Sequence, residues 1–308
     1  MSDQSSKQFP HLTRDFVGYG KDPVNAQWPN NARVALNIVL NYEEGSEPSI
    51  DDGDGYTEIG LHEGGAGAFT GRDLGSESMY EYGSRVGIWR IFRILRERNM
   101  PATVFATAVA LERNPAVAQA IREYGFDVCS HGRRWIRHQD LTPEQEKAEI
   151  GAAYDSITKS IGRPPAGWYC RYAPTLYTRS LVVEHGGFAY DSDAYNDDLP
   201  YWTKVQGKDH LVIPYTQDNN DGKFCRGAMA TANDFFEYLR DGFDLLYEEG
   251  AKAPKMMSVG LHLRLIGHPG RAVGLARFLD HVASKPQTWV CGRADIANHW
   301  RKVHLPKA

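Results

Sequence analysis

Two carboxylates stand side by side at the end of a short apolar run. Glu43 and Glu44 follow the segment RVALNIVLNY at 33–42, and Gly45 comes directly after them. Burying carboxylates next to a strand is costly without partners, so the pair predicts a shared polar pocket. Glu43 is the candidate general base, and its carboxylate would need burial or the neighbouring Glu44 to raise its pKa toward neutrality. In the alternative reading, one carboxylate faces solvent and the other caps a loop.

Two histidines occupy equivalent places further along the chain. His131 ends the run FDVCSH, and His262 ends the run KMMSVGLH. A lone histidine is more often structural than catalytic. Together with the carboxylates, however, the two supply the base and the acid that hydrolysis of an unactivated amide requires. The sequence therefore predicts an acid–base hydrolase with His262 as the general acid.

Strand-like and helix-like segments alternate through most of the sequence. Strands are predicted at 33–42, 101–110, 126–132, 165–174, 188–193, 211–217, 255–264 and 288–292. Alternation of this kind predicts parallel β/α units that close into a barrel or form a doubly wound sheet. In a barrel the carboxyl ends of the strands share one face. That face would bring Glu43 and Glu44 together with His131, Arg171, Asp191 and His262.

Length and composition narrow the classes of function. The 308 residues are expected to form a single catalytic domain, with an irregular arm at 1–30 and a Gly-rich lid loop at 46–75. A net charge of −4 gives no basic field for nucleic acid or an anionic membrane. The amino terminus lacks the apolar core of a signal peptide, and the four cysteines stand far apart, so a cytoplasmic protein is expected.

The order of these motifs resembles that of the polysaccharide deacetylase, or NodB-homology, family. NYEEG at 41–45 stands where the family has Thr-Phe-Asp-Asp-Gly, and ATVF at 102–105 resembles the next strand. SHGRRW at 130–135 stands for Ser-His-x-x-x-His, RYAP at 171–174 for an Arg-x-Pro loop, and Leu261-His262 for a late Leu-His. The resemblance implies a distorted (β/α)7 barrel, an α/β fold.

The departures from the family pattern concern its metal site. In metal-dependent members the second aspartate and both histidines bind a divalent ion. The corresponding positions here hold Glu44, His131 and Trp135, and tryptophan cannot be a ligand. The resemblance therefore implies a site without a metal or other cofactor. As an alternative, a divalent metal such as zinc would be held by Glu44, His131 and His138, which lies seven residues after His131.

Several segments are similar to one branch of the family, the allantoinase-like branch. They include SMYEYGSR, CSHGRRW, IPYTQDNND, GLHLRLIGHPGR and DIANHW. The resemblance implies a cytosolic, homotetrameric hydrolase that opens a cyclic amide, with allantoin to allantoate as the leading reaction. Cyclic imide hydrolases look similar. The sequence departs from the branch at 168–179, where Cys170 precedes Arg171 and Tyr172-Ala173 replace a small pair.

The resemblance also implies how the remaining polar and aromatic residues would be used. Glu44 and His131 would hydrogen-bond the substrate or water, and Arg85 and Arg171 would stabilise an oxyanion. Trp135 and Trp202 would wall the pocket. The predicted substrate-binding residues are Glu44, Arg85, Trp135, Arg171, Trp202 and Arg264. Plain core packing is the alternative for the tryptophans, and structural ion pairs are the alternative for Arg85 and Arg171.

Two rival functions stay open at this point. The first is a metal-dependent N-deacetylase of sugar amides, which the missing signal peptide and Trp135 disfavour. The second is a non-enzymatic descendant that binds a small ureide or a protein partner. Against it, Glu43 and His262 are both kept in the acid–base positions.

Overall fold

A computed structural model describes residues 14–62, 71–171 and 174–306. The strands are β1 (Val34–Tyr42), β2 (Thr103–Ala106), β3 (Asp127–Ser130), β4 (Gly167–Trp168), β5 (Tyr190–Asp191), β6 (Tyr201–Val205), β7 (Lys208–Val212), β8 (Lys255–His262) and β9 (Thr288–Val290). The helices are α1 (Leu74–Tyr82), α2 (Ile88–Glu97), α3 (Ala108–Arg113), α4 (Pro115–Tyr124), α5 (Pro143–Ile161), α6 (Thr178–His185), α7 (Ala232–Glu249), α8 (Leu263–Ile266), α9 (Pro269–Ala283) and α10 (Arg293–Val303). A π-helical turn, Gly83–Gly87, joins α1 to α2.

The strands form one curled sheet in the order β6-β7-β5-β4-β3-β2-β1-β8, with β9 also paired to β1. Neighbours from β7 through β8 run parallel, and β6 is antiparallel to β7. Between the two ends of the sheet, the described residues show a single bridge, from Asn220 to Gly260 of β8. This half-barrel confirms the predicted distorted (β/α)7 type of fold.

Strand β1 lies at the centre of the core, and all nine of its residues are buried. Successive side chains of a strand point to opposite faces. Leu36, Ile38 and Leu40 pack in the cluster that includes the outer helices. Asn37 and Asn41 belong to the other face, toward the barrel interior, where the Asn41 side chain reaches Tyr215 of the opposite wall. Alternation therefore directs the residue two beyond Asn41, Glu43, into the mouth of the barrel.

One predicted strand is shorter than expected. The strand predicted at 101–110 ends at Ala106, and residues 108–113 form α3, where alanine and leucine favour helix. Helix α1 begins at Leu74, because Asp73 caps it by accepting from the Ser76 amide at 3.0 Å. Residues 197–200 lead into β6. Within the part of the chain described, no helix has the length and apolar composition needed to cross a membrane.

Candidate active site

A pocket opens at the carboxyl ends of the strands, where the sequence predicted the site. It encloses about 390 Å³ of space when its open mouth is included. The strands contribute through their last residues or through the segments that follow them. The lining residues are Asn41, Glu43, Leu61, His131, Trp135, Tyr169, Arg171, Tyr215, Gln217, Asn220, Gly222, Arg226 and His262.

A tight turn at the end of β1 separates the two glutamates. The Ser46 amide donates to the Glu43 carbonyl at 2.9 Å, and Gly45 has φ +90°, as a type II turn requires. Glu43 lines the pocket, whereas Glu44 does not. The Glu44 carboxylate accepts from the backbone amides of Glu43 and Arg264, at 3.2 and 3.0 Å. The prediction that both carboxylates reach the pocket, and that Glu44 binds substrate there, is wrong for Glu44.

The π-helical turn explains how Glu44 fits behind the pocket wall. A Cβ atom on Gly83 would lie 2.4 Å from Glu44 Oε1 and 2.7 Å from the Arg264 backbone nitrogen. Only glycine allows this close approach of helix and carboxylate. The turn therefore seals Glu44 into the protein, where it is 2% exposed.

Glu43 is surrounded by cationic or protonatable groups. Its Oε1 lies 3.1 Å from His131 Nε2 and 3.7 Å from His262 Nε2, and its Oε2 accepts from Arg264 Nη1 at 2.7 Å. Burial alone would raise the pKa of Glu43, but the charges of Arg264 and His262 and the contact with His131 outweigh it and hold the pKa well below its ordinary value. The expected rise toward neutrality is therefore wrong for Glu43, which is ionised at neutral pH.

The raised pKa belongs to the neighbouring carboxyl instead. Burial, partly offset by Arg264 and reinforced by the charge of Glu43, raises the pKa of Glu44 to about 7. Two adjacent buried carboxylates thus have opposite shifts, because Arg264 lies closer to Glu43 than to Glu44 (2.7 against 3.5 Å). Glu43 can accept a proton, whereas Glu44 exchanges one near neutral pH out of contact with the pocket.

The two histidines present the same nitrogen to Glu43. Nδ1 of His131 donates to the Tyr169 carbonyl at 3.0 Å, and Nδ1 of His262 donates to Asp221 Oδ1 at 2.6 Å. A carbonyl or carboxylate oxygen only accepts, so these partners place a proton on each Nδ1 and direct each Nε2 toward Glu43. The His131 ring also stacks on Tyr169, with centroids 5.0 Å apart. Both imidazoles are therefore held in defined orientations.

Asp221 is a buried partner of His262 that the sequence reasoning missed. It lies in a 3-10 turn, Asp221–Lys223, is fully buried, and also accepts from the His262 amide at 2.7 Å. Burial would lower the pKa of His262, but the charges of Glu43 and Asp221 outweigh it and raise the pKa. The group proposed as general acid is thereby kept protonated to higher pH. The segment IPYTQDNND carried Asp221, but nothing in its spacing marked that residue.

Arg264 holds the carboxylates rather than lining the pocket. Its Nη1 contacts both glutamates, its Nε donates to the Leu61 carbonyl at 3.0 Å, and its guanidinium lies 4.7 Å from the Tyr80 ring centroid. It is 1% exposed and does not line the cavity. The prediction that Arg264 binds substrate is therefore replaced by an electrostatic role beside Glu43.

Two of the predicted pocket residues are in place. Trp135 and Arg171 both line the cavity, with the guanidinium 3.7 Å from the Trp135 ring centroid. Arg171 donates to the Trp135 carbonyl at 2.8 Å and pairs with the Glu58 carboxylate of the predicted lid. The charge of Arg171 is thus engaged by Glu58, and the pair anchors the lid to the segment after β4. The departures at Tyr172 and Ala173 lie outside the described residues.

Two other predicted residues lie away from the pocket. Arg85 is in the π-helical turn, its side chain is 75% exposed, and it pairs with Glu81 at 3.3 Å. Trp202 is in β6, the strand at the edge of the sheet, and its Nε1 donates to the His304 carbonyl at 2.6 Å. Arg85 is therefore not an oxyanion donor, and Trp202 is not a pocket wall.

The alternative metal ligands do not come together. His138 is buried beside Trp168 and its Nδ1 contacts Glu146 Oε1 at 3.0 Å, outside the pocket. The Glu44 oxygens are held by backbone amides and Arg264. Across residues 14–62, 71–171 and 174–306, no group of three His, Cys, Asp or Glu side chains could hold a metal ion. The residues present do not fit the divalent ion of metal-dependent family members.

The curled β/α half-barrel, with carboxylate and imidazoles at its carboxyl-terminal mouth, defines a NodB-type hydrolase. The chain is 41% identical to a Schizosaccharomyces pombe protein named "Putative polysaccharide deacetylase", over 96% of this chain and 99% of that one. A family model described as polysaccharide deacetylase matches residues 77–187. The chain therefore belongs to the polysaccharide deacetylase family.

Two solved structures are similar over nearly the whole chain. A "probable Polysaccharide deacetylase" from Pseudomonas aeruginosa PAO1 is 47% identical, with a TM-score of 0.92 over 96% of this chain and all of that one. PuuE allantoinase is 46% identical, also with a TM-score of 0.92, over 97% of this chain and all of the other. These likenesses support the allantoinase-like branch of the family.

Proposed function

We propose that this enzyme hydrolyses a carbon–nitrogen bond in a small cyclic amide, with allantoin to allantoate as the leading reaction. The observation that carries the proposal is the convergence of Glu43 Oε1 with the Nε2 atoms of His131 and His262 inside a small pocket. The 46% identity to PuuE allantoinase supports this ring as the first candidate.

The geometry supports a general acid–base route that uses only groups of the chain. Glu43 takes a proton from water while the water oxygen attacks the ring carbonyl carbon, and the carbonyl π electrons move onto its oxygen. When the carbonyl re-forms, the C–N bond breaks and His262 gives its Nε2 proton to the leaving nitrogen. Glu43 Oε1 and His262 Nε2 lie 3.7 Å apart, beyond direct hydrogen bonding, so the proton returns from Glu43 to His262 through one bridging water. Both groups are then reset.

The surroundings of the pocket also favour a small substrate. The described lid residues close over it: Leu61 lines the cavity, and Glu58 is held by Arg171. We infer a cytosolic enzyme, which four free cysteines suit, and a homotetramer as the family resemblance implies. A cyclic imide is the nearest alternative ring. N-deacetylation is a second candidate because of the names of the Schizosaccharomyces and Pseudomonas relatives.

A substrate panel tests this proposal. Purified protein would be incubated with allantoin, hydantoin, succinimide, glutarimide and an N-acetylglucosamine oligomer, and ring opening or acetate release would be followed. We expect ring opening, fastest for allantoin. Acetate release from the sugar, with every ring left intact, would contradict the proposal.

A further inference from the structure

Tyr215 lines the pocket from the segment after β7. Its ring is buried against Phe105 and Tyr169, with centroids at 5.0 and 4.9 Å. Its Oη lies between β1 and β8, where Asn41 Nδ2 donates to it at 2.9 Å. A Cβ atom on Gly260 would lie 2.3 Å from this oxygen, so the glycine makes room for the hydroxyl. The tyrosine is therefore rigidly placed.

The hydroxyl has a proton to donate. Asn41 Nδ2 is itself a donor, so in this contact Tyr215 Oη accepts and its own hydrogen points elsewhere. In the described residues, Asn41 is the one hydrogen-bond partner of Oη, and the side chain lines the cavity beside Glu43 and His262. Burial, partly offset by the bond to Asn41, raises the pKa of Tyr215 far above its ordinary value, so the proton is retained.

The pocket otherwise lacks the oxyanion donors that the sequence predicted. Arg85 is exposed and paired with Glu81, and Arg171 is engaged by Glu58 and the Trp135 carbonyl. Attack on an amide carbonyl develops negative charge on its oxygen, which needs a donor fixed in advance. Tyr215 provides such a donor. Its hydroxyl is held between Asn41, two residues before Glu43, and Gly260, two residues before His262.

We propose that the Tyr215 hydroxyl donates a hydrogen bond to the carbonyl oxygen as it becomes an oxyanion, and is thus a further catalytic residue. The inference rests on the proposed function. Tyr215 makes and breaks no covalent bond: its proton stays on Oη while the carbonyl π electrons move to the substrate oxygen and return. A bond accepted from Asn41 strengthens the donor, because linked hydrogen bonds polarise one another.

The test is Tyr215→Phe, assayed on the ring that the wild-type enzyme opens fastest. The ring of the side chain is kept, and the Asn41 amide retains its contact with the Leu261 carbonyl at 3.2 Å, so the fold should persist. We expect kcat to fall by roughly 10²-fold with KM within about threefold, as for removal of one oxyanion donor. 3-Fluorotyrosine at position 215, which restores the hydroxyl, should recover kcat to within about tenfold of wild type.

Tyr190→Phe is the matched control. Tyr190 is also fully buried, and its hydroxyl lies in the core away from the pocket. The kcat of the Tyr190→Phe enzyme should equal that of the wild type. A Tyr215→Phe enzyme with wild-type kcat, beside an active wild type, would overturn this inference alone. A wild-type enzyme that opens no ring would overturn the proposed function and this role with it.

Discussion

Two buried carboxylate pairs in the described part of the chain are built from the same kinds of group. Glu43 and Glu44 lie with Arg264 and two histidines, and Asp191 and Asp193 lie with Arg179 and His210. In each pair one pKa is lowered and the other raised. Burial would raise the pKa of Asp191, but Arg179 and His210 outweigh it and lower it to about 2. Burial and the charge of Asp191 raise the pKa of Asp193 to about 8.

The two pairs differ in what remains open to a ligand. Both Asp191 oxygens are occupied, by Arg179 at 2.7 and 3.0 Å, His210 at 2.9 Å and the Asp193 amide at 3.0 Å. Neither aspartate lines the pocket, whereas Glu43 does. A cluster of charged groups is thus not by itself a site. The proposed catalytic pair differs from the structural pair in two ways: Glu43 is accessible from the pocket, and the imidazole nitrogens directed at it also face the pocket.

Replacing Glu43 should give the largest effect on catalysis. In Glu43→Gln the proton acceptor is lost while the shape is kept, so kcat should fall by about 10³–10⁴-fold. Steady-state kinetics on the best ring substrate measures this. The matched change in the other pair, Asp191→Asn, should leave kcat within about threefold of wild type. Equal losses in both variants would break the distinction between the pairs.

Asp221 should have a smaller effect that depends on pH. In Asp221→Asn the carboxylate that helps to raise the pKa of His262 is gone. We expect kcat to fall by about 10–10²-fold, and the high-pH limb of its profile, where the acid loses its proton, to move to lower pH. A profile that keeps its shape would mean that Asp221 supports the fold only.

Asp191→Asn should reduce stability instead of rate. Removing one partner of a buried ion pair costs roughly 3–5 kcal/mol, and the lower end applies because the Arg179 side chain is 33% exposed. The unfolding midpoint should drop by about 2–4 °C for each kcal/mol, as measured by thermal denaturation. An unchanged midpoint would refute a structural role for this pair.

Asp193 should make stability depend on pH. Its pKa of about 8 in the folded chain exceeds its ordinary value of 3.8, so the folded state holds the proton more tightly. This contribution is complete below about pH 4 and is lost as the pH rises toward 8. Compared with wild type, Asp193→Asn should therefore show a smaller fall of the unfolding midpoint from pH 5 to pH 8.5. Parallel curves for the two proteins would contradict the raised pKa.

The smallest effect is expected for Arg85. Its exposed pair with Glu81 contributes little, so Arg85→Ala should keep kcat/KM within about twofold and the unfolding midpoint within about 2 °C. A loss of 10²-fold would restore it as an oxyanion donor and weaken the assignment of Tyr215.

The residues whose place in the site the sequence predicted well are those at the ends of strands. Glu43, His131 and His262 each follow an apolar run, and parallel strands bring such ends together. Tyr215 was missed because β7 ends at Val212, whereas the predicted strand at 211–217 continues past it. Asp221 was missed because it lies in a 3-10 turn, where no strand periodicity indicates the side-chain direction. Arg85 was misplaced because Gly83–Gly87 is a π-helical turn. Such a turn adds a residue and changes the face that a regular helix would present.

The pKa shifts could not be predicted from the sequence either. The adjacent glutamates suggested that the pKa of Glu43 would be raised. The direction of each pKa shift depends, however, on which carboxylate the Arg264 guanidinium approaches. That distance is set by a turn at Gly45 and by the close packing of Gly83 on Glu44. Both depend on the three-dimensional arrangement of segments that are about 220 residues apart in the case of Glu44 and Arg264.

The most direct test of the account is kcat/KM for allantoin after exhaustive chelation, with the metal content of the protein measured in the same sample. We expect metal-stripped wild-type protein to open the ring at the rate of the untreated enzyme, and stripped Glu43→Gln to be inactive. Activity that vanishes with the metal and returns when zinc is added would contradict acid–base catalysis by Glu43 and His262 alone.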